Sequence, residues 1–216
     1  MVLRQLQDLL TGIYDLPMIY DVSDFLFTDR RQLPPAARAS DTDEQLLVVD
    51  EGDAASVGLY LDAQLLQRLD AANPLDALNT ANLADYWTAL EGVSHFLYLA
   101  WNAGHDRPVS LLELEMQAEV DKYIASFWLL QAQDPERFPA ELHRLLFERA
   151  HVDDRLAGAR RCLYLEANHY AARFCRRLER ELRPLAARSR AKALVELRRF
   201  YRLSRERKVS HIQRCA

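Results

Sequence analysis

The chain is expected to be an α+β protein, predominantly α. A small N-terminal antiparallel sheet of two or three short strands should pack on a C-terminal bundle of about five helices. Three observations predict this. From Leu83 onward, apolar residues recur at helical spacing almost to the end. Residues 82–133 hold two such patterns around a stop-and-restart segment: Ala103-Gly104, Pro108, then the capping box Ser110-Leu-Leu-Glu113. Upstream, residues 46–50 and 56–61 are short β-forming runs flanking a Gly-containing turn, the pattern of a hairpin. Two portions follow: 1–78, small and α+β, and 79–216, a helical bundle ending in a basic segment.

In chain order, Val2, Leu3, Leu6, Leu9 and Leu10 predict a first helix over 2–11, stopped at Gly12. After the Asp15-Leu-Pro17 turn, 18–20 and 24–28 read as extended, with aromatic and β-branched residues between aspartates. Residues 29–44 contain adjacent prolines and no apolar period, as expected of an exposed loop. Two strands alone are marginal in water, so 25–27 is the candidate third strand. Asp62 should cap a short helix over 63–69 that Asn73-Pro74 ends.

In the first long helix, Leu83, Trp87, Leu90, Leu97 and Trp101 form one stripe, while Ala89, Gly92, Phe96 and Leu99 occupy much of the other side. Burial on two faces is expected. Gly92 costs about 1 kcal/mol relative to alanine in a helix interior, which suits a close approach by another backbone. The second helix aligns Leu112, Met116, Val120, Tyr123, Phe127 and Leu130. Pro139 should open a shorter helix to about Ala150. Asp153 should cap the next, which aligns Leu156, Leu163, Ala167, Tyr170, Phe174 and Leu178, and Pro184 ends it. A last helix is expected over 189–203.

Composition narrows function without assigning a reaction. No apolar run approaches the roughly 20 residues of a membrane span. The N-terminus lacks the pattern of a signal peptide. Cys162, Cys175 and Cys215 lack metal-ligand spacing and suit reduced cytoplasmic thiols. The formal net charge of −4 hides an asymmetry. Residues 1–154 carry 10 Lys+Arg against 27 Asp+Glu, and residues 155–216 carry 18 against 5. Such a basic end calls for an acidic partner, or for acidic and basic parts facing each other within the fold.

Two constellations carry chemistry. The first is a polar cluster or metal site built from Glu91, His95, Glu115, Glu119, Lys122, Glu166 and His169. Glu91/His95 and Glu115/Glu119 are four apart, and Glu148/His151 and Glu166/His169 three apart, so each pair shares a helix side. Di-iron carboxylate bundles use Glu and Glu-x-x-His on four alternating helices, whereas here both Glu-x-x-His pairs fall within residues 148–169. A salt-bridged network between packed helices accounts for the same residues. The second constellation is an anion or nucleic-acid contact formed by Arg173, Arg176, Arg177, Arg180, Arg198, Arg199, Arg202, Arg205, Arg207 and Lys208. No nucleophile elbow or Gly-rich phosphate loop is present.

The expected function is therefore a non-enzymatic cytoplasmic interaction or regulatory protein. Its basic C-terminal helices would engage an acidic partner, a protein ahead of a nucleic acid, with no cofactor. The alternative is a metal-dependent enzyme with a transition metal among the Glu/His residues of the bundle.

Overall fold

The computed structural model describes residues 2–38, 41–50, 52, 55–148 and 158–214. The N-terminal portion runs α1 (Val2–Tyr14), a 3-10 turn at Val22–Phe25, β1 (Leu26–Phe27), a second 3-10 turn at Arg30–Gln32, α2 (Pro35–Arg38), β2 (Glu44–Asp50), β3 (Ala55–Leu61) and α3 (Ala63–Ala71). The helical portion follows with α4 (Leu83–Ala103), α5 (Leu111–Gln133), a π-helical turn at Arg144–Glu148, α6 (Gly158–Leu182), α7 (Ala187–Tyr201) and α8 (Arg205–Arg214).

The α+β class and its helical predominance hold. The sheet is mixed, however, in the order β1-β3-β2, with β1 parallel and β2 antiparallel to β3. A crossover through 28–54 returns the chain parallel to β1, which no hairpin signal encodes. Residues 18–20 are not a strand, and Val22–Phe25 is a 3-10 turn capped by the Asp21 carboxylate, which accepts from Ser23 N. The expected loop at 29–44 contains the short helical turns at Arg30–Gln32 and Pro35–Arg38.

Helix ends obey local rules with two changes. The Ser110–Glu113 capping box forms: Ser110 Oγ accepts from Glu113 N at 3.3 Å and Glu113 accepts from Ser110 N at 3.1 Å. Asp62 caps α3 by accepting from Gln64 N and Leu65 N. α1 continues through Gly12, and Asp15 takes the left-handed conformation (φ 56°) while Leu16 N donates to Thr11 O. α4 ends likewise. Gly104 stays right-handed (φ −64°), and Asp106 takes φ 52° as Arg107 N donates to Asn102 O. Aspartate tolerates that region, and the 6→1 bond satisfies an otherwise orphaned carbonyl. The helix expected from Pro139 is reduced to the stretch around the π-helical turn, and Ala150, His151, Asp153 and Leu156 lie outside the described residues.

α4 and α5 form an antiparallel hairpin at the centre. Trp87 meets Ser126, Glu91 meets Lys122, Ser94 meets Asp121 and Tyr98 meets Glu113, so numbers fall along α5 as they rise along α4. Both helices are buried almost all round. One continuous apolar core runs from Leu3 and Leu6 of α1 through Leu59 and Leu61 of β3 to Phe174, Phe200 and Ile212 of α6, α7 and α8. The sheet lies on α4, where period-two alternation turns Glu44 and Leu46 toward the bundle. Among the described residues, no helix is long and apolar enough to cross a membrane.

Candidate metal centre

Three elements bring ionisable side chains together where the sheet meets the bundle. β2 supplies Glu44, α4 supplies Glu91 and His95, and α5 supplies Glu115, Glu119 and Lys122. Gly92 makes room for this. A Cβ there would lie 2.9 Å from Leu59 Cδ1 and 3.0 Å from Glu44 Cγ. The close approach expected at Gly92 thus comes from side chains of the sheet, one of which is a ligand candidate.

Two sub-clusters share the site. Lys122 Nζ donates to Glu91 Oε2 at 2.9 Å and to Glu119 Oε1 at 2.7 Å, so one ammonium ties α4 to α5. His95 sits between two carboxylates, with Nδ1 3.6 Å from Glu44 Oε1 and Nε2 3.6 Å from Glu115 Oε2. Both separations exceed a normal N–H···O hydrogen bond. Glu44 Oε1, His95 Nε2 and Glu119 Oε2 are buried with no hydrogen-bond partner among the described residues. One donor atom each from Glu44, Glu91 and His95 lies within 4.8 Å of the others.

The electrostatics match this crowding. Burial alone would depress His95, yet Glu115 and Glu44 outweigh it and raise the imidazole well above its ordinary value. Burial likewise opposes the Lys122 charge, and Glu119 and Glu91 reverse that. Burial pushes Glu44 and Glu119 up, while Lys122 and His95 outweigh burial at Glu91 and hold it down. Among the described residues, four glutamates here face one lysine and one histidine, so acidic groups outnumber basic ones. Uncompensated buried charge is costly, so this site has a standing demand for positive charge.

The chain matches no protein-family model, no curated protein and no solved structure. Its chemistry is therefore read from its own side chains.

Of the seven residues expected here, Glu91, His95, Glu115, Glu119 and Lys122 converge. Glu166 and His169 are exposed on α6, and His169 lines a separate groove. Tyr164, earlier on α6, lies near enough to Glu115 and Glu91 for their charge to act on it, and burial with that charge pushes its hydroxyl up to about 12. Glu44 was missed because it precedes the recognised strand run. An acidic residue in register with core-facing Leu46 was the signal that marked it.

The basic run divides. Arg198 donates to Ile13 O and Gly12 O, and Arg202 to Tyr14 O and Asp15 O, so both tie α7 to the end of α1. Lys208 is fully buried, a correction to its expected role as an anion contact. It donates to Gln117 Oε1 at 2.6 Å and lies 4.4 Å from the Tyr98 ring centroid. Gln117, Tyr14 and Ser94 all donate to the buried Asp121 carboxylate. Arg173, Arg180, Arg199, Arg205 and Arg207 remain exposed, while Arg176 and Arg177 are held by carboxylates.

Proposed function

We propose that the protein holds one divalent transition-metal ion at the junction of β2, α4 and α5, with Glu44, Glu91 and His95 as ligands. One observation carries this reading: the three donors converge where Glu44 Oε1 is buried without a hydrogen-bond partner among the described residues. Ligand atoms on one ion at about 2.1 Å lie at most about 4.2 Å apart, and the His95 Nδ1–Glu44 Oε1 separation of 3.6 Å is within that reach. His95 Nδ1 faces Glu44 and would take the ion. Nε2–H would then close on Glu115, the carboxylate–histidine–metal arrangement that orients a ligating imidazole. Lys122 occupies the side toward Glu119, where its ammonium stands in for a second cation. Two carboxylates and one imidazole suit Mn²⁺, Fe²⁺ or Zn²⁺ better than Mg²⁺ or Ca²⁺. Three protein ligands leave positions for water or a substrate oxygen, the composition of a catalytic centre more than of a closed structural one. The reading is thus a metal-dependent enzyme.

Chelated protein reloaded with Mn²⁺, Fe²⁺ or Zn²⁺ tests it. One of these ions at 100 times its Kd should add about 2.7 kcal/mol of stability. Melting unchanged by chelation and by all three ions would contradict the reading.

A second reading, a cytoplasmic interaction protein with an acidic protein partner, is supported by the exposure of Arg199, Arg205 and Arg207. A pull-down with nuclease treatment tests it. A partner that survives nuclease and dissociates in salt supports it, and loss on nuclease treatment points to nucleic acid.

A further inference from the structure

A groove of about 510 Å³ runs along α6, away from the Glu44–His95 cluster. Its wall is a stripe at helical spacing, His169 followed by the arginines Arg173, Arg176, Arg177 and Arg180. The π-helical turn at Arg144–Glu148 forms part of the facing wall, and such turns recur at functional sites.

The four guanidiniums fall into two kinds. Arg176 is held by Glu148 Oε1 at 3.1 Å and Glu179 Oε2 at 3.5 Å. Arg177 is held by Glu196, lies 3.0 Å from His211 Nε2 and stacks over Phe174 at 5.4 Å. Both are paired with carboxylates in the free protein, Arg177 the more enclosed of the two. Arg173 and Arg180 are exposed and make no hydrogen bond or ion pair among the described residues. They are two turns apart, about 10.5 Å along the axis. Among the described residues, the four guanidiniums of the groove meet the carboxylates of Glu148, Glu179 and Glu196, so positive charge is in excess. A phosphate monoester carries roughly −1.5 to −2 at pH 7.

A second, independent feature points to a ligand. His143 lines the same groove and is only 4% exposed. Its Nε2 lies 3.0 Å from Ala172 O, and a carbonyl only accepts, so Nε2 carries a proton. Nδ1 is buried with no hydrogen-bond partner among the described residues. In the neutral ring Nδ1 is an acceptor, which a hydroxyl or amine donor would satisfy. Leu165, 48% exposed, adds an apolar patch to the lining.

We propose that this groove binds a small phosphate monoester of nucleotide size. The phosphate is taken by Arg173 or Arg180 beside Arg177, and the body lies along the part of the lining formed by His143 and Leu165. Guanidinium forks match phosphate oxygens in pairs, which gives orientation as well as charge. The volume fits a small-molecule site. A long polyanion is disfavoured because Arg198, Arg202 and Lys208 are turned into the protein, so the basic run makes no continuous track.

Calorimetric titration of the full chain at low salt tests this with inorganic phosphate, ribose 5-phosphate, adenosine 5′-monophosphate, adenosine and an eight-nucleotide single-stranded oligonucleotide. Both monoesters should bind at least tenfold more tightly than inorganic phosphate or adenosine. The R173E/R180E double variant changes only exposed side chains, so it should melt as the parent does and lose at least tenfold in monoester affinity. Binding of neither monoester would overturn the proposal. So would equal affinity for phosphate and the monoesters, binding of the oligonucleotide alone, or unchanged affinity in R173E/R180E.

Discussion

His95 Nδ1 stands 3.6 Å from Glu44 Oε1 across the junction of α4 and β2, too far for a hydrogen bond and close enough to share an ion. Glu115 stands at the same distance on the other side of the ring. Two flanking carboxylates favour the protonated imidazole in the free protein, so metal binding competes with a proton.

The pH dependence of binding follows. His95 is raised well above its ordinary value, so near pH 7 it is charged and must release a proton to ligate. Metal affinity should rise about tenfold per pH unit through neutrality, with about one proton released per ion. Calorimetry in two buffers of different ionisation enthalpy measures this. Affinity that is flat between pH 6 and 8 would exclude His95 as a ligand. Stability of the metal-free protein has the opposite slope. The raised imidazole stabilises the fold fully below its unfolded pKa of about 6.5, and that contribution is lost as pH rises through its higher folded value.

Gly92→Ala should separate site geometry from stability. The added methyl meets Leu59 Cδ1 at 2.9 Å and Glu44 Cγ at 3.0 Å, so Glu44 must move. Overpacking costs about 1–3 kcal/mol, offset by about 1 kcal/mol of helix propensity. Denaturant unfolding should show a modest net loss, while the metal Kd rises at least tenfold. Parental affinity in this variant would show that Glu44 is not a ligand.

Lys122→Met removes the one ammonium shared by Glu91 and Glu119. Leaving largely buried carboxylates unpaired should destabilise the fold by about 3 kcal/mol. The same change makes the site more negative, so divalent-ion affinity should increase. A stability loss below about 0.5 kcal/mol, the size of a surface substitution, would mean that the pair is not coupled to the fold.

The α4–α5 and β2–β3 hairpins were legible because their signals are local: the Ser110–Glu113 box and the apolar stripes in the first, the paired β-forming runs of 46–61 in the second. Glu44 was not, because a strand residue enters a site on a helix only through the β2–α4 packing. α8 was missed because Arg205–Arg214 is almost wholly polar and has only Val209 and Ile212 to suggest a buried face. On sequence grounds Lys208 belongs with the surface cations, because lysine is almost never fully buried. Its burial depends on Gln117 and on the aromatic rings of Tyr98 and Phe200, from three different helices.

That burial has a consequence of its own. Burial draws the Lys208 ammonium down to about 7. Between pH 7 and 10 the unfolded chain therefore binds a proton that the folded chain does not, and folded stability gains up to about 1.4 kcal/mol per pH unit from this group. Lys208→Met should abolish that gain. Thermal midpoints of parent and variant, compared across this range, should converge or cross in favour of the parent as pH rises. A constant difference would show that Lys208 keeps its proton on folding.

The metal centre is tested most directly by the ion stoichiometry of chelated protein reloaded with Mn²⁺, Fe²⁺ or Zn²⁺, measured beside an E44Q/H95Q variant. One ion per chain in the parent and none in the variant is the predicted result. No bound ion in the parent, or equal loading of parent and variant, would contradict it.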